Sequence, residues 1–270
     1  MSDFSVVMPV YWKEDSAKFS AALASVFSNS LLPSEMLVIC DGPLTQALEN
    51  VISDYAMKPG FRVVRLEKNQ GIVTALNSGL TEVVNEIVVR CDSDDINHPK
   101  RFEKLICKID EGYDVVGSQV EEVDANGNII ARKTLPISHD DIVRYAKRRN
   151  PMNHMSVAFR ASDVRAVGGY PDVYLKEDYA LWGKLISAGK RFANLNEALV
   201  SANGGINLYA RRGGLKAALS EIRLQHILVS SGVTNPFEAF VTGLVRFLLL
   251  LSPIVFRAFV YRNVLRRTHQ

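Results

Sequence analysis

Four times between Phe4 and Gly112 a short apolar run gives way to a stretch with apolar residues at helical spacing. FSVVMPV leads into SAKFSAALASVFSN, EMLVIC into LTQALENVISDYA, FRVVRL into GIVTALNSGLTEVV, and EIVVRC into PKRFEKLICKIDEG, where Pro99 is expected at the first helical position. Strand and helix in strict alternation demand a mostly parallel sheet covered on both faces, because each strand reaches its parallel neighbour only through a crossover. Ligands of such sheets bind in the crevice beyond the carboxyl ends of the strands.

The polar residues that look wasteful sit at those ends. Tyr11 to Asp15 follow the first strand, Asp41 and Gly42 the second, Asn69 to Gly71 the third and Asp92 to Asp95 the fourth. In VVRCDSDDINHP three aspartates stand within four positions directly after a buried-looking run. Asp92 and Asp94, at i and i+2, lie on one side of an extended segment. Two oxygen donors there make a seat for Mg2+ or Mn2+, whose shell a substrate phosphate would complete. An isolated pair of this kind is more often a solvated turn; its place at a crevice favours the cation. No GxxxxGK[ST] and no GxGxxG after a strand is present, which removes the main evidence for a kinase, an ATPase or a dinucleotide enzyme.

After Gly112 the rhythm changes. DVVGSQVEEVDANGNIIARKTL reads as two strands joined at Asn126-Gly127, SHDDIVRYAKRR as a helix capped by Ser138, MSVAFR as a strand, KEDYALWGKLISAG as a helix closed by Gly189, and ALVSAN as a strand. The expected organisation is a parallel-sheet half over 1–112 that binds one ligand, a mixed half of the same domain over 113–235 that binds another, and a helical tail over 236–270. The 270 residues are ample for one large core. Cys40, Cys91 and Cys107, an odd number without CxxC spacing, argue against a disulfide framework and for a reducing cytoplasm. The N-terminus lacks the basic-then-apolar pattern of a signal peptide.

The net charge of +3 is unevenly spread: from residue 235 onward five arginines face Glu238 alone, a local +4 that leaves the rest of the chain at −1. The basic character therefore belongs to the tail and gives no case for nucleic acid. The tail's longest uncharged stretch, ten residues between Arg246 and Arg257, is short of the roughly 20 a spanning helix needs. Apolar surface with arginines suits a membrane interface with anionic headgroups; the alternatives are packing on the protein's own core or a homodimer contact.

VVMPVYWKED, VICDG, NQGIVTALNSG, RCDSDD, HMSVAFR, GGYPD and KEDYALW occur in the order and spacing of family 2 glycosyltransferases, over residues 5 to about 185. The chain resembles in particular the bacterial enzymes of the amylovoran and O-antigen type, which extend lipid-linked sugars. The resemblance implies a GT-A fold and an inverting transfer of a hexose, galactose or glucose, from a UDP-sugar to a polyprenyl-diphosphate-linked sugar. It places the enzyme on the cytoplasmic, inner face of the membrane as a peripheral protein. By the same resemblance Pro9, Val10, Tyr11 and Glu14 line the nucleobase, Asp41 contacts base or ribose, and Asn69, Gly71, Ala75, Asn77 and Gly79 lie beside ribose and diphosphate. Asp92 and Asp94 are the metal pair, Asp95 a donor-sugar contact and Asp178 the catalytic base.

Asp178 opens a helix, whose N-terminus favours an ionised carboxylate able to take a proton; alone, Glu177 and Asp178 would be read as acids complementing the helix dipole. Trp182, one turn on, is expected to wall the acceptor pocket with Glu177. His154 corresponds to a family position near the acceptor, against the commoner role of a structural hydrogen-bond partner. Arg211, with Arg212, is placed to reach a diphosphate, although this loop departs from the family form, and Lys13 stands where many relatives have Asn. The competing reading is a non-catalytic UDP-sugar-binding or membrane-scaffold module on the same fold. A sugar-phosphate nucleotidyltransferase would want a glycine-rich basic loop where PVYWKED stands.

Overall fold

Every residue of the first two apolar runs is buried, so both faces of these strands must be covered, and they are. The computed structural model describes residues 1–124, 126–203 and 213–253. Within them β1 (Phe4–Val10), β2 (Glu35–Cys40), β3 (Phe61–Arg65) and β4 (Ile87–Arg90) form the parallel side of a nine-stranded sheet, joined by helices α1 (Ser16–Phe27), α2 (Gln46–Tyr55) and α3 (Ile72–Glu82). β5 (Ile96–Asn97), β6 (Val115–Val123), β7 (Ile129–Lys133), β8 (Ala158–Arg160) and β9 (Phe192–Asn203) complete it in the order β3-β2-β1-β4-β8-β6-β9-β5, with β7 paired to β6. β8 runs antiparallel to both β4 and β6, so it joins the two halves into one sheet.

Helix α4 (Arg101–Asp110) shares one face of the sheet with α1 and α2, where Phe19, Leu23, Leu48, Phe102 and Leu105 are buried together. α3 covers the other face with α6 (Ala161–Ala166) and α7 (Glu177–Ser187), through Leu76, Leu80, Val164, Leu181 and Trp182. Several helix starts follow from their capping side chains. Asp15 accepts from the Ala17 and Lys18 amides at 2.9 and 3.0 Å, and Ser138 caps α5 (His139–Ala146) through the Asp141 amide at 3.3 Å. The expected hairpin at Asn126-Gly127 joins β6 to β7, and Gly189, at φ +72°, follows the last turn of α7.

Three expectations are corrected. Pro99 lies before the N-cap Lys100 rather than inside α4, and its carbonyl accepts from the Ser30 amide. MSVAFR begins as a 3-10 turn, His154–Ser156, and only its last three residues form β8. The final strand is twelve residues long because β9 pairs along the whole of β6.

At the C-terminal side, α8 (Leu215–Ser230) packs on α7 through Leu224 and Leu228, and α9 (Pro236–Leu251) packs on α8 through Leu250, Phe247 and the close approach of Gly243 to Gln225. The start of the tail thus covers the protein with one face while the other stays open. Phe237, Phe240, Val245 and Leu248 are 59–76% exposed. Among the described residues no helix is long and apolar enough to cross a membrane.

Candidate active site

The ends of β1, β2 and β4 form the floor. Val10 is packed in the core, so this strand end offers the site little beyond backbone; Pro9 is buried beside it, and Tyr11 and Glu14 form the turn at the rim. At the end of β2, Asp41 organises the neighbouring loop. Its Oδ1 accepts from the Gln70 amide at 2.7 Å, and its Oδ2 from the Gly71 amide and the Asn69 Nδ2, both at 2.9 Å. A carboxylate has about four lone-pair sites, so Asp41 retains little capacity for a base or ribose. Gly42 makes this approach possible: it sits at φ +86°, where a Cβ would fall 2.5 Å from the Asn69 nitrogen.

Helix α3 starts at Gly71, φ +89°, with no side chain capping it and open space around the glycine. Its amides face the crevice end of the sheet, an arrangement suited to phosphate. Ala75 and Gly79 are buried against the sheet, Gly79 under Val7 and Ile39, and serve packing. Asn77, expected beside the diphosphate, has a different partner. Its Oδ1 accepts from the Tyr170 amide at 2.8 Å and its Nδ2 donates to the Tyr170 carbonyl at 3.0 Å. Both ends of the amide are used, which makes Asn77 a clamp on the loop carrying Tyr170.

At the end of β4, Asp92, Asp94 and Asp95 each bring one oxygen to within 4.8 Å of the others. The segment is pinned from behind. The buried Arg101 guanidinium donates to the Arg90 carbonyl and to Asn97, and β5 pairs with β9. Asn203 of β9 donates its amide N–H to Asp95 Oδ1 at 3.3 Å and its side-chain amide to the Asp94 carbonyl. The acids are held together against their repulsion. Burial, and next the charge of Asp92, push the Asp94 carboxyl up, and the same causes push Asp95 well above the carboxylate range. Asp95 Oδ2 is buried without a partner. Beneath them Arg90, 5% exposed, holds Asp92 Oδ1 with Nη2 at 2.5 Å while its Nε and Nη1 lack partners.

The facing wall is the start of α7, preceded by Leu175 at φ +60°, the one non-glycine with positive φ among the described residues. Asp178 Oδ2 accepts from Asn150 Nδ2 at 2.6 Å, and its Oδ1 from the Tyr179 amide at 2.7 Å. Glu177, with Oε2 buried and unpartnered, is pushed up to about 7 by burial and then by Asp178; Arg90 opposes the rise and Asp92 adds to it. Tyr170 joins the two walls. Burial raises its hydroxyl, Arg90 opposes, and Asp178 and Glu177 add to the rise. That hydroxyl lies 3.0 Å from His154 Nε2, and burial followed by Arg90 keeps the imidazole neutral, well below its usual range. Asp178, Glu177, Tyr170, Arg90 and the aspartate triplet therefore share one electrostatic neighbourhood.

The sequence profile of Glycosyl transferase family 2 matches residues 5–166, more than half of the chain. The protein is a family 2 glycosyltransferase. A UDP-Gal:alpha-D-GlcNAc-diphosphoundecaprenol beta-1,3-galactosyltransferase of Escherichia coli is 37% identical over 98% of this chain and 97% of its own length. The amylovoran biosynthesis glycosyltransferase AmsE of Erwinia amylovora is 34% identical over 96% and 98%. In fold, S. aureus TarS 1-349 in complex with UDP-GlcNAc superposes with a TM-score of 0.66 at 19% identity, over 97% of this chain and 74% of that one. The mannosyltransferase PcManGT of Pyrobaculum calidifontis, in complex with GDP-Man and Mn2+, gives 0.59 at 15%, over 99% and 84%. The expected GT-A architecture is thereby established.

In this family 2 enzyme the donor set of the triplet suits a divalent ion: three oxygens converge, Asp95 keeps a buried oxygen without a partner, and two carboxyls are destabilised by burial and by their neighbours' charge, which a bound cation would relieve. Trp182 is a correction. It is fully buried, edge-on to His154 and Phe192 with centroids 6.1 and 6.3 Å away, and forms the floor beneath His154 rather than a wall of an open pocket. Helical spacing put it on the face of Asp178, but Tyr179 through Gly183 are all buried, so a shared face does not mean a shared environment. Arg211 and Arg212 lie outside the described residues. Arg90, Tyr170 and Asn150 were missed; the one sequence signal was an arginine closing an otherwise apolar strand.

Proposed function

We propose that this enzyme transfers galactose or glucose, with inversion, from a UDP-hexose to a sugar carried on a polyprenyl diphosphate at the inner face of the membrane. The acceptor sugar is GlcNAc by analogy with the Escherichia coli galactosyltransferase, which is similar along nearly the whole chain. The observation that carries the reading is the convergence of three aspartate oxygens at the end of β4, in a chain whose Asp178, at the start of α7, is oriented by a hydrogen bond to each oxygen. Asp92 and Asp94 would hold Mn2+ or Mg2+, which when bound would supply positive charge beside the departing UDP, and Asp95 contacts the donor sugar.

Asp178 removes the proton of the attacking hydroxyl. One of its oxygens is fixed by Asn150 and the other by the Tyr179 amide, so the carboxylate is held in orientation for an acceptor entering beside it. Direct displacement from an α-linked donor gives a β-linkage. Glu177 and the neutral His154 with Tyr170 border the acceptor. The exposed apolar face of α9 rests on the membrane, and the basic charge of the tail sequence favours anionic headgroups. Incubation with a panel of UDP-sugars and a GlcNAc-diphospho-lipid tests the assignment. Metal-dependent product with UDP-galactose or UDP-glucose is expected; transfer from neither would refute it.

A further inference from the structure

A groove of about 720 Å3 opens between the strand-to-helix link 134–137 and α5. Its lining includes the apolar Leu135, Ile137 and Tyr145, and three arginines, Arg144, Arg148 and Arg149, against one acid, Asp141. We infer that this groove binds the diphosphate and first isoprene units of the lipid-linked acceptor, an inference that rests on the function proposed above.

Three observations carry it. The first is charge. Arg144 and Arg148 are 73% and 71% exposed in their side chains, and their ion pairs, to Asp141 at 2.7 Å and to Glu238 at 3.6 Å, are of the solvent-screened kind that a dianionic group displaces. Guanidinium groups and apolar side chains in one groove match a ligand that is a diphosphate at one end and hydrocarbon at the next.

The second is position relative to the chemistry. The diphosphate of such an acceptor is bonded to C1 of the sugar whose hydroxyl is attacked, so it must lie one sugar ring away from the base. Arg149 lines the groove, and the next residue, Asn150, donates to Asp178. The third is position relative to the membrane-facing helix. Arg246 of α9 donates to the Arg148 carbonyl and Glu238 pairs with Arg148, so the groove borders the helix whose outer face is apolar. A prenyl chain leaving the groove on that side meets the surface on which the rest of the lipid lies.

The test uses the full chain with UDP and Mn2+ present to fill the donor site, titrated with farnesyl diphosphate. Wild type should bind, and the double variant Arg144→Gln/Arg148→Gln should bind about tenfold more weakly, the loss expected for two solvent-exposed charge pairs. The Lys/Lys variant should recover part of the affinity. In transfer assays the Gln/Gln variant should raise KM for GlcNAc-diphospho-lipid and leave KM for the UDP-sugar and turnover of a GlcNAc alkyl glycoside unchanged. Unaltered farnesyl diphosphate binding would overturn the inference, as would loss of flotation on phosphatidylglycerol vesicles with that binding intact, which would mark a headgroup contact. Wild type that binds farnesyl diphosphate through these arginines yet transfers no sugar would sink the proposed function and leave the groove standing.

Discussion

Glu177 and Asp178 are adjacent carboxylates with different surroundings. Asp178 has a hydrogen-bond partner on each oxygen, whereas Glu177 keeps a buried oxygen with none and is pushed up to about 7. Between its ordinary 4.5 and about 7 the folded chain holds a proton that the unfolded chain releases, so this contribution to stability is complete below 4.5 and is lost as pH rises through 7. Glu177→Gln, measured without metal in EDTA, should therefore gain on the wild type by at most about 3 kcal/mol between pH 5 and pH 8. Thermal melts at the two pH values check this; parallel shifts at both would contradict it.

Asp94→Ala should abolish metal-dependent UDP-sugar binding by titration calorimetry, and retained Mn2+ enhancement would exclude Asp94 as a ligand. The convergence of the three acids was legible in the sequence because they follow a buried strand within four positions. Asn77, Asn150 and Arg90 were not. Their roles depend on Tyr170, Asp178 and Asp92, and two of these partners are remote in sequence, beyond the reach of local pattern.

At the level of elements, the sequence pattern predicted the strand–helix alternation, the Asn126-Gly127 hairpin and the Ser138 cap of α5, because turn chemistry and the buried stripe are local properties. It missed α6, two turns whose existence depends on packing Val164 beneath the sheet, and it placed Trp182 by helical face alone. Helix α9 packs on the protein's own core with one face and leaves the other open. Ala239, Phe247 and Leu250 face the protein, and Phe237 and Phe240, 76% and 67% exposed, face outward. Phe237→Glu/Phe240→Glu should leave the melting temperature within about 2 °C, as expected of exposed positions. The same pair should sharply reduce flotation with anionic vesicles. Undiminished flotation would take the membrane contact away from this face.

Across the whole molecule one sheet unites the parallel half with the mixed half through the antiparallel β8. The same connection brings Asn203 at the end of β9 onto the acidic loop and the Tyr170 loop onto α3, so the two walls of the site are held by elements from both halves. The most direct test of this arrangement is the single-turnover transfer rate of Asp178→Asn, with UDP-sugar bound at saturation and GlcNAc-diphospho-lipid as acceptor. A fall of about a thousandfold or more, with UDP-sugar affinity unchanged, is the predicted result for loss of a positioned general base. A rate within a few-fold of wild type would show that the attacking hydroxyl loses its proton elsewhere.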